Sequence, residues 1–195
     1  MNKALILGVL GVVACGGSKT NLKAAAREIG DSSQAGTSLK VPKIDKSRCD
    51  PDGKQVLQYD LNRDDKPDVW KLYKSQDQKG TKVDILTCKQ ADLDHDTQVD
   101  YVVQYDDDGA IIWEEYDFDF DGKFDARWHY DKKTGKRYLV ERTTAFRGNP
   151  DTWEKFDANG RTDTIVRDRN GDGKPDYWEQ FVDGRLEAML YDDDF

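Results

Sequence analysis

From residue 49 to residue 195, short runs rich in aromatic and β-branched residues alternate with polar stretches rich in Asp and Gly. These runs come in pairs, with a first run at 69–73, 101–105 or 177–181 and a second run at 83–87, 111–116, 137–143, 162–167 or 185–191. Turns containing Gly stand between the paired runs, at 106–109, 132–135, 158–160 and 183–184. A strand, a Gly turn and a second strand are the signature of a β-hairpin. The pattern predicts an all-β fold in which antiparallel β-hairpins stack into an extended twisted meander or an open solenoid.

The hairpins belong to an internal repeat. In each unit an Asp-rich loop precedes the first strand, and the last Asp of that loop is Asp68, Asp100, Asp125, Asp151 or Asp176. The steps between these residues are 32, 25, 26 and 25 residues. Spacing of this kind is typical of repeat proteins. We therefore predict one acidic β-repeat domain at 49–195, built from five units of 25–32 residues.

Aromatic residues hold recurring places in the first strand of the units. A Trp stands two residues after the last loop Asp, as at Trp70 and Trp178, and a Tyr or Phe stands five residues after it. These positions have opposite parity, so both faces of the sheet are predicted to carry an aromatic stripe. Trp128 follows Asp125 by three residues, which indicates a β-bulge in the third unit. The stripes are interpreted either as the packing core of a thin domain or as an exposed platform for glycans.

The stretch 168–179 matches the twelve-residue calcium loop of EF-hand proteins position by position. Its predicted ligands are Asp168, Asn170, Asp172, the backbone carbonyl of Lys174, Asp176 and the bidentate Glu179, with Gly173 at the sixth position. Three other loops match without a Glu at position 12, and their predicted ligands are Asp60, Asn62, Asp64 and Asp68, then Asp92, Asp94, Asp96 and Asp100, then Asp117, Asp119, Asp121 and Asp125. The remaining unit keeps only Asp151 and Glu154.

Because strand-like segments flank these loops, they resemble the calcium loops of dockerin and thrombospondin type 3 repeats rather than those of helix–loop–helix proteins. The resemblance implies Ca²⁺ as the cofactor. For sites without helices and without a bidentate Glu we expect Kd values of about 10⁻⁴ to 10⁻³ M. The alternative is a set of Asx turns, in which the Asp side chains cap backbone N–H groups without metal.

Composition supports the importance of the loops. The chain has 39 acidic and 30 basic residues, a net charge of −9, and the acids comprise 32 Asp but only 7 Glu. Such a negative balance argues against nucleic acid as a partner, and an aromatic content of 11% argues against a disordered acidic chain. The charge is segregated, since residues 16–48 carry +4 and the part from Cys49 onward carries −14.

The N-terminus reads as a lipoprotein signal peptide at 1–14. Lys3 precedes an apolar run of ten residues, which as a helix spans about 15 Å, roughly half of a bilayer core, and so predicts a cleaved signal rather than a membrane anchor. Val12-Val13-Ala14-Cys15 resembles the bacterial lipobox, and the resemblance implies lipidation of Cys15. Residues 15–48, without aromatic residues, are predicted to be a flexible tether. By analogy with bacterial sorting rules, the Gly residues after Cys15 favour the outer membrane.

Cys49 and Cys88 are the two remaining cysteines. Outside the cytoplasm we expect them to form a disulfide. The alternative, a cysteine metal site, has no CxxC motif or His cluster to support it. An enzyme is not expected, because the two histidines, His95 and His129, lie in no nucleophile motif and no phosphate-binding loop is present.

The repeated Asp-Gly-Lys-Pro-Asp-x-Trp pattern, best seen at 171–178, together with the lipobox, resembles the acidic-repeat envelope lipoproteins of myxobacteria, including gliding-motility lipoproteins. The resemblance implies a non-catalytic outer-membrane protein that binds other envelope proteins, with a gliding-motility complex as one setting. The alternative hypothesis is a module that binds glycans or surface polymers through its aromatic stripes.

Overall fold

The computed structural model describes residues 43–144 and 149–192. The predicted signal peptide at 1–14, the lipidation site Cys15 and most of the predicted tether lie outside the described residues. Within the described ranges, no helix is long and apolar enough to cross a membrane.

Eleven strands form one antiparallel sheet in the described chain. They are β1 (Gln55–Tyr59), β2 (Val69–Gln78), β3 (Thr81–Ala91), β4 (Tyr101–Tyr105), β5 (Ile111–Tyr116), β6 (Ala126–Tyr130), β7 (Arg137–Arg142), β8 (Thr152–Phe156), β9 (Thr162–Arg167), β10 (Tyr177–Val182) and β11 (Arg185–Tyr191). The order of strands in the sheet is their order in the chain, and β1 and β11 are its two edges. This open meander confirms the predicted all-β fold of stacked hairpins.

Every hairpin contains a β-bulge at the same place. In the β2–β3 hairpin Leu72 pairs with Cys88 and Tyr73 pairs with Leu86, so Thr87 is an extra residue in the second strand. The corresponding extra residues of the other four hairpins are Ile112, Tyr138, Asp163 and Glu187. Because a bulge increases the local right-handed twist, the sheet gains twist at regular intervals along its length.

The third unit contains a β-bulge close to Trp128, between His129 and Tyr130, as its spacing indicates. This bulge is shared by all the hairpins, so it does not explain why Trp128 stands one residue later than the Trp of other units. β5 and β6 pair in continuous register, with Glu115 opposite Arg127 and Glu114 opposite Trp128. Arg127 therefore occupies the place that Trp70 has in the first unit. Since neighbouring side chains of a strand point to opposite faces, Trp128 lies on the other side of the sheet.

The hydrophobic core lies on one face of the sheet, near its N-terminal end. Its buried members are Cys49, Trp70, Leu72, Cys88 and Val102, and the partly buried residues packed against them are Ile44, Val56, Val99, Trp113 and Phe124. A single sheet can bury the side chains of one face only where another segment of the chain lies on that face and removes them from water. The sheet is therefore covered at this end by the segment that precedes β1.

Residues 43–49 form this covering segment. The amide of Asp45 donates to the side-chain oxygen of Gln90, and the Gln90 side-chain amide donates to the Asp45 carbonyl, at 2.9 and 2.8 Å. Arg48 forms an ion pair with Glu115 on β5. The folded domain therefore begins at least as early as Ile44, whereas the sequence predicts its start at Cys49 and assigns 43–48 to the tether.

A disulfide joins Cys49 to Cys88, the pair expected from the sequence, with the two Cα atoms 5.8 Å apart. Both cysteines are fully buried. The bond links residues separated by 39 positions and ties the covering segment to β3. Among the described residues, it therefore stabilises the place where a second layer covers the sheet.

The opposite face of the sheet has cationic side chains lying over aromatic rings. On this face Lys71 lies over Tyr59, Lys89 over Tyr101, Arg137 over both Trp128 and Phe156, and Arg167 over Tyr177. On the covered face Arg127 lies over Trp113. In such pairs the alkyl stem shields the ring while the charge stays in water. Aromatic residues thus occur on both faces, as their spacing predicts.

Candidate metal loops

Four loops, at 60–68, 92–100, 117–125 and 168–176, share one backbone conformation. Their fourth and sixth residues all have positive φ: Arg63 and Asp65, His95 and Thr97, Phe120 and Gly122, Gly171 and Gly173. Glycine adopts this left-handed conformation freely, whereas other residues lose about 1 to 2 kcal/mol in it. Thr97 is β-branched and has a φ of 83°. Because the conformation persists without Gly, contacts made by the loop side chains must hold it.

The first and last Asp residues of the loops supply these contacts. The last Asp accepts a hydrogen bond from the amide seven residues before it, at 2.6–3.0 Å, in the pairs Leu61 to Asp68, Leu93 to Asp100, Phe118 to Asp125, Thr144 to Asp151 and Arg169 to Asp176. The first Asp accepts one from the amide five residues after it, at 2.8–3.0 Å, in the pairs Asp65 to Asp60, Thr97 to Asp92, Gly122 to Asp117 and Gly173 to Asp168. Asx-type capping of backbone N–H groups is therefore present in every unit.

Three carboxylates converge in two of the loops. Oxygens of Asp92, Asp94 and Asp96 lie within 4.8 Å of one another, and so do oxygens of Asp117, Asp119 and Asp125. A carboxylate has two oxygens, so capping of the backbone through one leaves the other available to a cation. Calcium takes six to eight oxygen ligands, and each of these two loops could hold a metal ion.

Asp92 and Asp117, the first residues of these two clusters, are only 2% and 3% exposed. The Oδ1 atom of each is buried and accepts no hydrogen bond from the described part of the chain. A buried carboxylate oxygen without a partner has lost its hydration and is unfavourable. Burial raises the pKa of both carboxyls above its ordinary value, although backbone N–H groups act in the opposite direction. A bound divalent cation would compensate both carboxylates.

The other two loops differ from this arrangement. Both have Asn at the third position, Asn62 and Asn170, where the converging loops have Asp. In the loop at 168–176, the Oδ1 of Asp176 is buried and unpartnered among the described residues. In the loop at 60–68, the Oδ1 of Asp68 lies 3.0 Å from the His95 ring of the next loop. The loop with the best match to the EF-hand pattern is therefore not one in which three carboxylates converge.

Glu179, predicted to be the bidentate ligand at position 12, lies in strand β10 outside its loop. Its carboxylate accepts a hydrogen bond from the Tyr177 hydroxyl at 2.6 Å and forms an ion pair with Arg167 at 3.5 Å. β10 begins at Tyr177, so side-chain alternation places Glu179 on a sheet face beside Ile165 of β9. A helix after the loop turns position 12 back toward the ion, whereas a strand carries it away.

Sequence reasoning missed a cluster around Glu114, a carboxylate that is only 8% exposed. It accepts hydrogen bonds from the hydroxyls of Tyr101, Tyr116 and Tyr130, which come from three different strands. Burial and the negative charge of Glu114 raise the pKa of Tyr116 to about 12, so this phenol remains a neutral donor. The sequence does contain a signal for this cluster. Tyr101 stands one residue after a loop Asp, Tyr130 stands five residues after the next loop Asp, and Tyr116 ends the second strand between them.

The aromatic residues considered for glycan stacking differ in their surroundings. The Trp128 ring has the Arg137 guanidinium 4.9 Å and the Tyr116 ring 4.7 Å from its centroid. Trp178 lies opposite Val166 and Leu190 in the sheet and is partly buried. Trp128 is therefore already stacked within the protein, which favours a packing role for it.

No protein-family model and no curated protein matches the sequence. Among solved structures, the chain resembles part of an accessory secretory protein 1, 2 and 3 structure from Streptococcus pneumoniae, at 12% identity and a TM-score of 0.41, over 61% of this chain and 21% of that one. It also resembles part of an S. aureus TarM mutant in complex with Fondaparinux, alpha-GlcNAc-glycerol and UDP, at 8% identity and a TM-score of 0.37, over 70% and 21% of the two chains. A GtfA/B complex bound to UDP and GlcNAc matches at 11% identity and a TM-score of 0.28, over 86% and 29%. The chain thus spans less than a third of each of these proteins.

Proposed function

We propose that this protein is a non-catalytic lipoprotein of the outer membrane, anchored through Cys15, whose calcium-stabilised sheet binds other envelope proteins. The observation that carries the proposal is the pair of buried, unpartnered oxygens on Asp92 and Asp117 within converging carboxylate clusters. The lipobox residues and the resemblance to myxobacterial envelope lipoproteins support the location and suggest a gliding-motility complex as the setting.

The surroundings of the two histidines support a non-catalytic role. His95 contacts Asp68 at 3.0 Å, and His129 contacts Glu141 at 2.8 Å. Both histidines thus have a carboxylate partner, and neither contacts a Ser or Cys side chain in the hydrogen bonds of the described chain. A nucleophile activated by a His requires such a contact. The carboxylates of the loops repeat from unit to unit, which favours turn and metal chemistry over a single acid–base pair.

Charge provides a second physical reason for calcium. The part of the chain from Cys49 onward carries −14, and repulsion among its carboxylates disfavours the compact state. A cation bound in the loops lowers that repulsion where the carboxylates are closest. At 1 mM calcium, a site with Kd of about 10⁻⁴ M adds roughly 1.4 kcal/mol of stability by mass action.

Calcium is therefore expected to raise the melting temperature of the protein. Two such sites together raise Tm by about 6 to 12 °C for a chain of this size. The measurement is thermal unfolding followed by circular dichroism, in 1 mM calcium and in excess chelator, together with calorimetric titration of calcium. An unchanged Tm and no heat of binding would contradict the proposed calcium sites.

Substitutions in the two carboxylate clusters test whether these loops cause the calcium-dependent increase in Tm. Asp92→Asn combined with Asp117→Asn keeps the side-chain shape and the acceptor for the backbone amides but removes two charges from the clusters. This variant is expected to lose most of the calcium-dependent increase in Tm. The matched control combines Asp52→Asn with Glu187→Gln, two exposed acids outside the loops, and is expected to keep the increase. An equal increase in both variants would show that general charge screening, rather than the two clusters, is responsible.

Binding to envelope proteins is tested with the full lipidated protein purified from native membranes. In calcium, at least one envelope protein is expected to co-purify with it, and the amount is expected to decrease when chelator loosens the sheet. Recovery of no envelope protein in calcium would count against the proposed function.

Glycan binding is the second candidate function. Phe118 and Phe120 flank Asp119 in one of the converging loops and are 57% and 43% exposed. The Phe118 ring stacks on Tyr116 with the centroids 5.2 Å apart, so one of its faces is held while the residue remains exposed. Exposed aromatic rings beside a cation site can stack on sugar rings. A glycan array, measured in calcium and in chelator, distinguishes glycan binding from protein binding.

A further inference from the structure

Exposed apolar residues concentrate at the C-terminal edge of the sheet. Val182, Leu186, Met189, Leu190 and Tyr191 are between 48% and 56% exposed. In the equivalent strand β9 most side chains are at least partly buried, whereas in β11 six of the seven residues are exposed. The difference follows from the pairing, because β9 lies between two strands and β11 pairs only with β10 in the described sheet.

The repeat itself shows what covers an edge of this kind. The second strands of the four preceding hairpins, β3, β5, β7 and β9, each pair on their outer side with the first strand of the next unit. Each of those first strands begins directly after the last Asp of its unit and carries a Tyr or Phe five residues after that Asp. The outer edge of a second strand is thus a surface that binds a first strand in all four internal cases.

β11 continues the repeat geometry to its last described residues. It carries the same bulge as the other second strands, at Glu187. The amide of Asp192 donates to the carbonyl of Asp176 at 3.0 Å, as the amide of Asp168 donates to the carbonyl of Asp151 at 2.9 Å. The backbone of β11 is therefore arranged like that of β9, and its outer edge has the geometry that accepts a first strand.

This edge carries only part of the usual protection against strand addition, namely the bulge at Glu187 and two charged residues. Exposed edges of natural sheets commonly carry Lys or Pro, or are covered by other parts of the chain. β11 contains neither Lys nor Pro, and its charges are one Arg and one Glu, Arg185 and Glu187. In a domain with a charge of −14, β11 carries no net charge and therefore does not repel another acidic chain.

A second copy of the chain does not offer a matching strand at its own edges. β1 leads into the loop at 60–68 as β3 leads into the loop at 92–100, so β1 is equivalent to a second strand. Both free edges of the described sheet, β1 and β11, are therefore second strands. The geometry favours a first strand from another polypeptide.

We propose that the outer edge of β11 binds, by β-strand addition, an extended segment of another polypeptide with the side-chain pattern of the first strands of this repeat. The inference rests on the proposed function and identifies the surface and the class of partner segment. The β9–β10 register sets the expected alignment, in which Arg167 pairs with Tyr177 and Val166 with Trp178. By equivalence, the second residue after the partner's Asp lies opposite Leu190. Backbone hydrogen bonds supply affinity in this mode, and alternate side chains supply specificity.

The test uses the full mature chain and a fluorescent peptide with the sequence of residues 174–182, a first strand of the repeat itself. Fluorescence anisotropy is expected to show saturable binding. Met189→Lys combined with Leu190→Lys, both at exposed positions, is expected to weaken binding at least tenfold. Ile112→Lys combined with Tyr138→Lys, two apolar residues of the inner strands β5 and β7 that are 40% and 48% exposed, is the matched control and is expected to leave binding unchanged. A peptide carrying Glu179→Pro, which loses one backbone donor, is expected to bind more weakly.

Absence of peptide binding, or equal binding to both lysine variants, would overturn the proposal. Sedimentation showing a dimer that the Met189→Lys and Leu190→Lys variant dissociates would also overturn it, because a second copy would then cover the edge. The envelope co-purification separates this inference from the proposed function. If the lysine variant still captures the same envelope proteins, the edge proposal fails and the proposed function stands.

Discussion

Replacement of Trp70 by Ala is expected to lower the free energy of unfolding by about 3 to 5 kcal/mol, the range for removal of a buried Trp. Trp70 is 1% exposed and lies in the core between the sheet and the covering segment 43–49. Its loss removes the largest side chain of that core and leaves a cavity that a disulfide-linked segment can fill only in part. Urea denaturation followed by circular dichroism measures the change.

The repeat supplies a matched control for this substitution. Trp178 occupies the same position of the fifth unit but is only partly buried, since the described chain places no second layer over β10. Trp178→Ala is therefore expected to lower the free energy of unfolding by less than half as much as Trp70→Ala. Equal losses would mean that Trp contacts within the sheet, and not coverage by the N-terminal segment, determine the stability.

Removal of the disulfide is the second substitution with a large expected effect. Cys49→Ala combined with Cys88→Ala is expected to lower the free energy of unfolding by about 4 kcal/mol, because a cross-link over 39 positions restricts the unfolded chain. The same cross-link holds residues 43–49 on Trp70, so the variant is also expected to expose that Trp. Urea denaturation and Trp fluorescence report the two effects.

Two comparisons test the physical cause of this loss. The wild-type protein in reductant is expected to match the double alanine variant without reductant, because both lack the cross-link. Arg48→Ala, which removes the ion pair with Glu115 and the contact with the Phe124 ring but keeps the cross-link, is expected to have a smaller effect. A double variant as stable as the oxidised wild type would show that packing alone holds the segment in place.

The repeat architecture was predictable from residue order. Apolar runs and Gly turns predicted eight of the eleven described strands directly, and the Asp spacing implied β6 and β8 as the first strands after Asp125 and Asp151. β1 was missed because Gln55 to Tyr59 follows no earlier loop of the repeat and has no hairpin partner before it. The disulfide was predictable from the cysteine number and the predicted extracytoplasmic location, whereas its burial beneath the covering segment was not.

The loops show that the local sequence pattern is not sufficient to predict which carboxylates converge. Spacing alone favoured the loop at 168–176 and assigned Glu179 to the ion, but the strand that follows carries that side chain to an ion pair with Arg167. Convergence of three carboxylates occurs instead around Asp92 and Asp117. Which loops bring three carboxylates together depends on how deeply the first Asp is buried and on whether the third position is Asp or Asn. Matching a sequence to a loop pattern does not distinguish these cases.

By itself, the sequence determined the hairpin repeat, the pairing of neighbouring strands and the presence of Asp turns, because each of these depends on residues close together in the chain. Only the tertiary structure decided which face of the sheet is covered, which carboxylate oxygens are buried without a partner, and which edge remains open. These depend on contacts between distant residues, such as Asp45 with Gln90 and Arg48 with Glu115. Identical repeat positions, such as Trp70 and Trp178, thereby come to lie in different surroundings.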